Sequence, residues 1–154
     1  MDTITETLKN HPFLKEIPTQ YLDLFATNAA TQTFKVGEYV FEESDEANEF
    51  YLIINGEVAL EIFTKESGPT TIQFIRDGEI LGWSWLVAPH HWRFDARVAK
   101  PTTALVLDGK FLRQQCEQDH SFGYVLLKQL SRVIGQRLEV TRIRLLQPNR
   151  LEQI

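Results

Sequence analysis

The residues with the clearest chemical potential lie between Gly78 and Ala99, in the sequence GEILGWSWLVAPHHWRFDARVA. Their order is that of an anion-binding loop: a glycine turn, a short helix-like segment, and then a strand that carries arginine. Backbone N–H groups at such turns can approach a phosphate closely. Arg93 or Arg97 would supply the positive charge that binds an anion. The segment therefore predicts an anion site.

Three tryptophans distinguish this segment from an ordinary anion-binding loop. Trp83 and Trp85 lie where small, polar residues are expected, and Trp92 follows two histidines. Stacked indoles could hold a flat ligand. Large aromatic side chains more often belong to packing, so Trp83, Trp85, Trp92 and Phe94 could equally fill the pocket themselves. The sequence leaves both interpretations open.

Other clusters of reactive side chains give weaker signals. Cys116 and His120 are four residues apart and could share a helix face, but two ligands are too few for a structural zinc site. His90 and His91 are typical of solvent-exposed imidazoles in a loop. The acidic run 42–49 resembles a solvated turn and lacks the spacing of a calcium loop. The motifs of serine hydrolases, zinc proteases and P-loop proteins are absent from the sequence. We therefore predict no catalytic residues and no metal ligands.

The charge is unevenly distributed along the chain. The net charge is −5, yet residues 128–154 carry six basic and two acidic residues, against ten basic and nineteen acidic in residues 1–127. The acidic body argues against broad binding to duplex nucleic acid. The basic end predicts a solvated helix face, or one that docks on an acidic surface. The single cysteine, the lack of a signal peptide and the lack of a membrane-length apolar run predict a cytoplasmic protein.

Short apolar segments alternate with turn residues between Ala30 and Asp108. This pattern predicts about eight short strands in a sandwich or barrel with a jelly-roll path. Asn55-Gly56 stands between Phe50–Ile54 and Val58–Phe63, and this dipeptide predicts a hairpin turn because both residues tolerate positive φ. The last two predicted strands are Arg93–Ala99 and Ala104–Asp108.

Helices are predicted on both sides of the strands. Residues 2–28 are expected to be helical, and so are Lys110–Glu117 and Phe122–Leu146. The last of these would be a rod of roughly 37 Å at 1.5 Å per residue, longer than a small barrel is wide. Part of its apolar face is therefore expected to overhang the barrel and meet a second copy, giving a homodimer.

The order of these pieces resembles the cyclic nucleotide-binding domain of the Crp/Fnr family. The resemblance rests on HPFLKEIP, on VGEYVFEESDEANEFYLIINGEVAL, on GEILG at 78–82, on PTTALVLD and on the long helix, from about His11 to Gln147. It implies a mainly β fold, a double-stranded β-helix (jelly-roll) barrel with N-terminal helices and a long C-terminal helix. The barrel would span about 30–108 and the C-terminal helices about 109–147, within a single domain of residues 1–154.

The resemblance also implies which residues would meet a ligand. In the family a glutamate that accepts a hydrogen bond from the ribose usually follows the second glycine; here Trp83 follows Gly82, and an indole offers no comparable acceptor. With a ten-residue spacing from that glycine, the phosphate arginine and hydroxyl positions fall on Trp92 and Asp95. With an eleven-residue spacing they fall on Arg93 and Phe94. The predicted ligand-binding residues are Gly82, Trp83, Ser84, Trp85, Trp92, Arg93, Phe94 and Asp95.

The resulting expectation is a non-enzymatic ligand-sensing or regulatory module. Its ligand-binding cassette, which is the segment from Gly78 to Ala99, differs from the family pattern that binds cAMP or cGMP. One alternative is a true cyclic nucleotide sensor that uses Arg93 for the phosphate, and another is a cupin-like jelly-roll metal enzyme. The Crp/Fnr regulators carry a helix-turn-helix domain after the long helix. This sequence extends about seven residues past Gln147. We therefore expect no DNA-binding domain in this chain, no direct contact with nucleic acid and no membrane partner.

Overall fold

The computed structural model describes residues 3–146. Short helices come first, followed by five strands and two further helices. In chain order they are α1 (Thr3–Asn10), α2 (Pro12–Lys15), a 3-10 turn (Thr19–Tyr21), α3 (Leu22–Ala26), β1 (Ala30–Phe34), β2 (Tyr39–Phe41), β3 (Glu49–Thr64), β4 (Gly68–Arg76), β5 (Asp95–Asp108), α4 (Gly109–Gln118) and α5 (His120–Leu146).

The N-terminal helical region is confirmed in kind but is broken into short pieces. His11 ends α1 and caps α2, because its Nδ1 accepts a hydrogen bond from the backbone N–H of Phe13 at 3.2 Å. Pro12 then occupies the first helical position, where no N–H is needed. Pro18 precedes the 3-10 turn, since proline does not continue a helix. The predicted N-terminal helices are therefore present, as short pieces that break at His11 and before Pro18.

The strands form one antiparallel sheet in the order β1-β5-β3-β4, with β2 also paired to β5. β3 has 16 residues and β5 has 14, and they pair over almost their whole length. The predicted count of about eight short strands was therefore wrong. Phe50–Ile54 and Val58–Phe63 belong to the single strand β3, while Ala104–Asp108 and most of Arg93–Ala99 belong to β5.

Asn55-Gly56 does not form a hairpin. Both residues lie inside β3, and the ladder with β5 changes register on each side of them. Gly56 has a φ of +124°, and a Cβ there would lie 2.6 Å from the Cα of Thr102. The dipeptide therefore supplies an irregularity at which two long strands remain paired and bend.

Apolar side chains of the sheet, the N-terminal helices and α5 share one core. Phe122 of α5 contacts the ring of Phe25 in a T-shaped pair at 5.6 Å, and Phe13 meets Phe50 in the same way at 5.4 Å. The buried residues of α5 are Phe122, Gly123, Leu126 and Leu130. The fully buried side chains of α5 therefore all lie in its first half.

The second half of α5 leaves large apolar side chains exposed, as the predicted overhang requires. Leu138 is 58% exposed and Leu145 is 75% exposed. The predicted helix Phe122–Leu146 is confirmed with its start two residues earlier, whereas Gln147, where the resemblance ends, lies outside the described residues. Within residues 3–146, no helix is both long enough and apolar enough to span a bilayer. The mainly β fold class with flanking helices is confirmed.

Candidate ligand-binding cassette

The segment from Gly78 to Gly82 is an ordered loop tied to β3. Gly78 donates to the carbonyl of Ile53 at 3.0 Å, and the N–H of Ile53 donates to the carbonyl of Glu79 at 2.9 Å. Leu81 donates to the carbonyl of Tyr51 at 3.1 Å. The φ of +78° at Gly78 is the left-handed conformation that glycine tolerates best. The glycine frame of the predicted loop is therefore present.

The short helix-like segment reduces to a single turn. The N–H groups of Leu86 and Val87 both donate to the carbonyl of Trp83, at 3.0 and 3.2 Å, and no described helix lies between β4 and β5. β5 begins at Asp95, so Arg93 precedes the strand and Arg97 lies on it. The expectation that the strand begins at Arg93 was wrong.

Trp92 lies directly against Gly82. Its side chain is 3% exposed and stacks on Phe41, with ring centroids 3.8 Å apart and planes 5° apart. A Cβ placed on Gly82 would lie 2.9 Å from Cζ3 of Trp92 and 3.5 Å from Cζ of Phe94. The close approach that glycine permits is used by aromatic rings of the chain itself.

Trp85 is a core residue beneath the loop. It is fully buried and stacks on Phe50, with ring centroids 4.5 Å apart. Its Nε1 has no hydrogen-bond partner among the described residues. Its backbone carbonyl accepts a hydrogen bond from Nη1 of Arg113, which also reaches the carbonyl of Ala47 at 3.3 Å. Trp85 therefore anchors the turn in the core.

Trp83 faces α5 rather than the other two indoles. It is half-buried, and the guanidinium of Arg137 lies 5.5 Å from its ring centroid. Ser84, which separates it from Trp85, is 9% exposed. No two tryptophans stack on one another in the part of the chain that the structure describes. The three indoles are therefore not brought together as faces for one flat ligand.

The charged residues that follow Trp92 have separate surroundings. Arg93 is exposed and makes no ion pair within residues 3–146. It borders a cleft of ≈ 360 Å³ that Trp92 also lines. Asp95 accepts a hydrogen bond at Oδ1 from the N–H of Glu43 at 2.7 Å, so its carboxylate fixes the acidic turn. Phe94 packs near Phe41, at 5.7 Å between centroids.

Arg97 is engaged by a buried carboxylate. Its Nε and Nη2 donate to the two oxygens of Glu61 at 3.1 and 2.6 Å, and Glu61 is 3% exposed. The hydrogen bonds and the negative charge of Glu61 raise the pKa of Arg97. This bidentate pair occupies the fork of Arg97 that an anion would otherwise use.

The described residues bring together no group of three histidine, cysteine or acidic side chains that could hold a metal ion. Cys116 is half-buried, and burial, together with the nearby carboxylates Glu117 and Asp119, raises the pKa of its thiol to about 11. In the acidic run, Oδ2 of Asp45 accepts a hydrogen bond from the backbone N–H of Glu42 at 3.0 Å, so this carboxylate stabilises the turn in which it lies. Metal chemistry therefore has no support from these clusters.

Two contacts of the cassette were missed by sequence reasoning. Phe41 provides the face on which Trp92 stacks, and Arg137 reaches from α5 to Trp83 and donates from Nη2 to the carbonyl of Ile80. Neither contact has a sequence signal, because each joins residues more than fifty positions apart. The sequence indicated only that the C-terminal part of the chain, which includes Arg137, is basic.

Comparisons with known proteins identify the family and the fold of this chain. The family model described as "Cyclic nucleotide-binding domain" matches residues 31–119, more than half of the chain. The curated proteins give no match. A solved "putative cyclic nucleotide-binding protein" from Geobacter metallireducens is 26% identical with a TM-score of 0.80, over 90% of this chain and 99% of that one.

More distant solved structures share the fold. The sensor domain of the transcriptional regulator DNR from Pseudomonas aeruginosa is 18% identical with a TM-score of 0.69, over 88% of this chain and 91% of that one. A regulatory subunit of a cAMP-independent protein kinase A from Trypanosoma brucei is 17% identical with a TM-score of 0.74, over 93% of this chain and 50% of that one. From the glycine frame, the rolled sheet, the long terminal helix and these matches together, the chain belongs to the family of cyclic nucleotide-binding domains.

Proposed function

We propose that this chain is a non-enzymatic regulatory module whose cassette pocket is filled by its own aromatic side chains. In this state it does not bind cAMP or cGMP in the manner usual for the family. The observation that carries the proposal is the position of the Trp92 ring against Gly82 and Phe41. The resemblance assigns this position to the phosphate arginine when the ten-residue spacing is used.

The energetic balance supports this proposal. A ligand that needs the space over Gly82 must move Trp92 into water. An indole buries roughly 150–250 Å², which at about 25 cal/mol per Å² corresponds to about 4–6 kcal/mol. The missing arginine–phosphate hydrogen bond adds about 1.5–3 kcal/mol to the free-energy penalty for nucleotide binding. Displacing the ring alone would weaken binding by roughly three to four orders of magnitude.

The remaining ligand positions add to the same argument. In the ten-residue spacing Asp95 stands where a hydroxyl binds phosphate, and its carboxylate is already bonded to the N–H of Glu43. A phosphate placed beside Asp95 would meet a like charge. Trp83, at the ribose-carboxylate position, lies against Arg137 of α5 instead. This fold is shared with the regulatory subunit of a protein kinase A that is described as cAMP-independent, which is compatible with a module that works without this ligand.

We propose further that the module is a cytoplasmic homodimer formed through residues 122–146 of α5. Support comes from the exposed apolar side chains on its second half, among them Leu138, Ile143 and Leu145. Such a cluster on a helix that extends past its own core is typical of a helix-to-helix interface. Light scattering at tens of micromolar tests it, and a monomer at that concentration would contradict it.

A second candidate is a true sensor that uses Arg93, favoured by the observation that Arg93 is exposed and has no ion pair within residues 3–146. Titration calorimetry with cAMP and cGMP separates the two proposals. A filled pocket predicts no binding of either nucleotide at micromolar concentrations. Binding tighter than micromolar would contradict it, and the loss of that binding in Arg93→Ala would establish the second candidate. Arg142→Ala is a matched control, because Arg142 is an exposed arginine outside the cassette.

A further inference from the structure

A cleft of ≈ 340 Å³ lies outside the rolled sheet, between α5, α2 and the loop that leads into the cassette. We call it the α5 cleft. Pro12 and Val133 supply its accessible apolar lining above the buried Phe13 and Ile80, and polar side chains of α5 form one wall. This volume is within the range of small-molecule sites, which combine an apolar lining with a few polar groups.

Arg137 is the charged group of the α5 cleft that lacks a counter-ion. Its guanidinium is half-buried, donates from Nη2 to the carbonyl of Ile80 and lies over the ring of Trp83. It forms no ion pair within residues 3–146. A guanidinium has five N–H donors, and the described residues use one of them. Burial without a paired anion is unfavourable for a cation, and it lowers the pKa of Arg137.

The other charges around the α5 cleft already have partners. Arg132 lies 3.7 Å from a carboxylate oxygen of Glu16. Glu79 accepts the backbone N–H of Arg76 at 2.8 Å and acts on Arg137 only from beyond ion-pair distance. The unused donors of Arg137 are therefore the strongest attraction that the cleft offers to an anion.

We propose that the α5 cleft binds a small organic carboxylate, with its charge on the guanidinium of Arg137 and its apolar body on Pro12 and Val133. Inorganic anions lack the apolar body, and neutral molecules lack the charge. Such a ligand would contact α5 and the cassette loop simultaneously. This site goes beyond the filled pocket proposed above, because Trp92 and Phe94, the rings that lie against Gly82, do not line it.

The test is titration calorimetry of the full chain with sodium benzoate, benzamide and inorganic phosphate as probes. Benzoate is expected to bind, with benzamide and phosphate at least tenfold weaker. Arg137→Gln is expected to weaken benzoate about 10- to 100-fold, because charge-assisted hydrogen bonds are lost. Arg142→Gln, on the same helix but outside the cleft, is the control and is expected to leave benzoate binding unchanged.

Gln136→Glu keeps the test decisive if Arg137→Gln does not fold. Gln136 is exposed and borders the cleft, so a carboxylate there is compatible with the fold and would repel the probe. We expect benzoate to bind several-fold more weakly to this variant. The proposal is overturned if the parent protein does not bind benzoate at ten millimolar, if benzamide binds as well as benzoate, or if folded Arg137→Gln or Gln136→Glu binds benzoate as tightly as the parent.

Discussion

Replacing Trp92 by alanine removes the ring that lies over Gly82. The side chain is 3% exposed and stacks on Phe41 at 3.8 Å. Truncating a buried tryptophan typically costs about 3–5 kcal/mol, and an aromatic pair contributes about 0.5–1.5 kcal/mol beyond its buried area. We therefore expect Trp92→Ala to lower the free energy of unfolding by about 3–5 kcal/mol, a large share of the roughly 5–15 kcal/mol of an ordinary domain.

Urea unfolding followed by circular dichroism measures this loss directly. Phe63→Ala is the matched control, because Phe63 is an aromatic residue of β3 that is 69% exposed, and it is expected to change the free energy by less than about 0.5 kcal/mol. A loss below about 1 kcal/mol for Trp92→Ala would refute the reasoning, since a ring that fills the pocket cannot be removed so cheaply. The same variant should leave an apolar cavity against Gly82 and Phe41.

Three further predictions test the fold around the cassette. Gly56→Ala is expected to lower the free energy of unfolding in urea by at least about 2 kcal/mol, because the new Cβ would lie 2.6 Å from the Cα of Thr102 at a φ of +124°. Gly135→Ala is the comparison: no atom lies within 4 Å of its Cβ, so it should raise the free energy of unfolding by about 0.5–1 kcal/mol. Burial lowers the pKa of His11 below 6.5, so the stability that the neutral imidazole contributes is complete above pH 6.5 and is lost as the pH falls toward the folded pKa. The free energy of unfolding should therefore be lower at pH 5.5 than at pH 7.5, and His11→Asn should reduce that difference. The thiol of Cys116, with a pKa of about 11, should react with iodoacetamide at pH 8 far more slowly than in urea, and equal rates would contradict its burial.

Much of the fold was predictable, because the order of helices and strands follows from the local spacing of apolar residues. The change from helical to strand periodicity near Ala30, and back again after Asp108, coincides with the observed boundaries. The Asn55-Gly56 dipeptide misled the prediction because the positive φ that glycine permits in a hairpin turn is used by Gly56 inside a strand instead. Its actual role depends on Thr102 in another strand, which no local window contains.

The sequence predicted the glycine-framed loop that carries the candidate site, but not the contacts of its side chains. The glycine frame marked the loop correctly, since such a frame needs only a few neighbouring residues. The directions of Trp83, Trp85 and Trp92 depend on Arg137, Phe50 and Phe41, respectively, which belong to other elements. Sequence spacing also left two assignments for the arginine position. The side chain that lies on Gly82 is Trp92, which occupies that position in the ten-residue spacing.

The cassette loop borders both the filled pocket at Gly82 and the α5 cleft at Arg137, and these two regions need not share one ligand. Trp92 covers Gly82 in the filled cassette pocket, here called the inner pocket, while two residues earlier the carbonyl of Ile80 accepts a hydrogen bond from Arg137 of α5. Because the loop is bonded to β3 through Ile53, it is fixed relative to the sheet, and a molecule that binds Arg137 would act on α5 against a rigid base. Filling the inner pocket then stabilises the loop without removing its contact with α5. A regulatory signal could pass through that contact even when the inner pocket holds no ligand, and Arg137→Gln would interrupt it while leaving Trp92 in place.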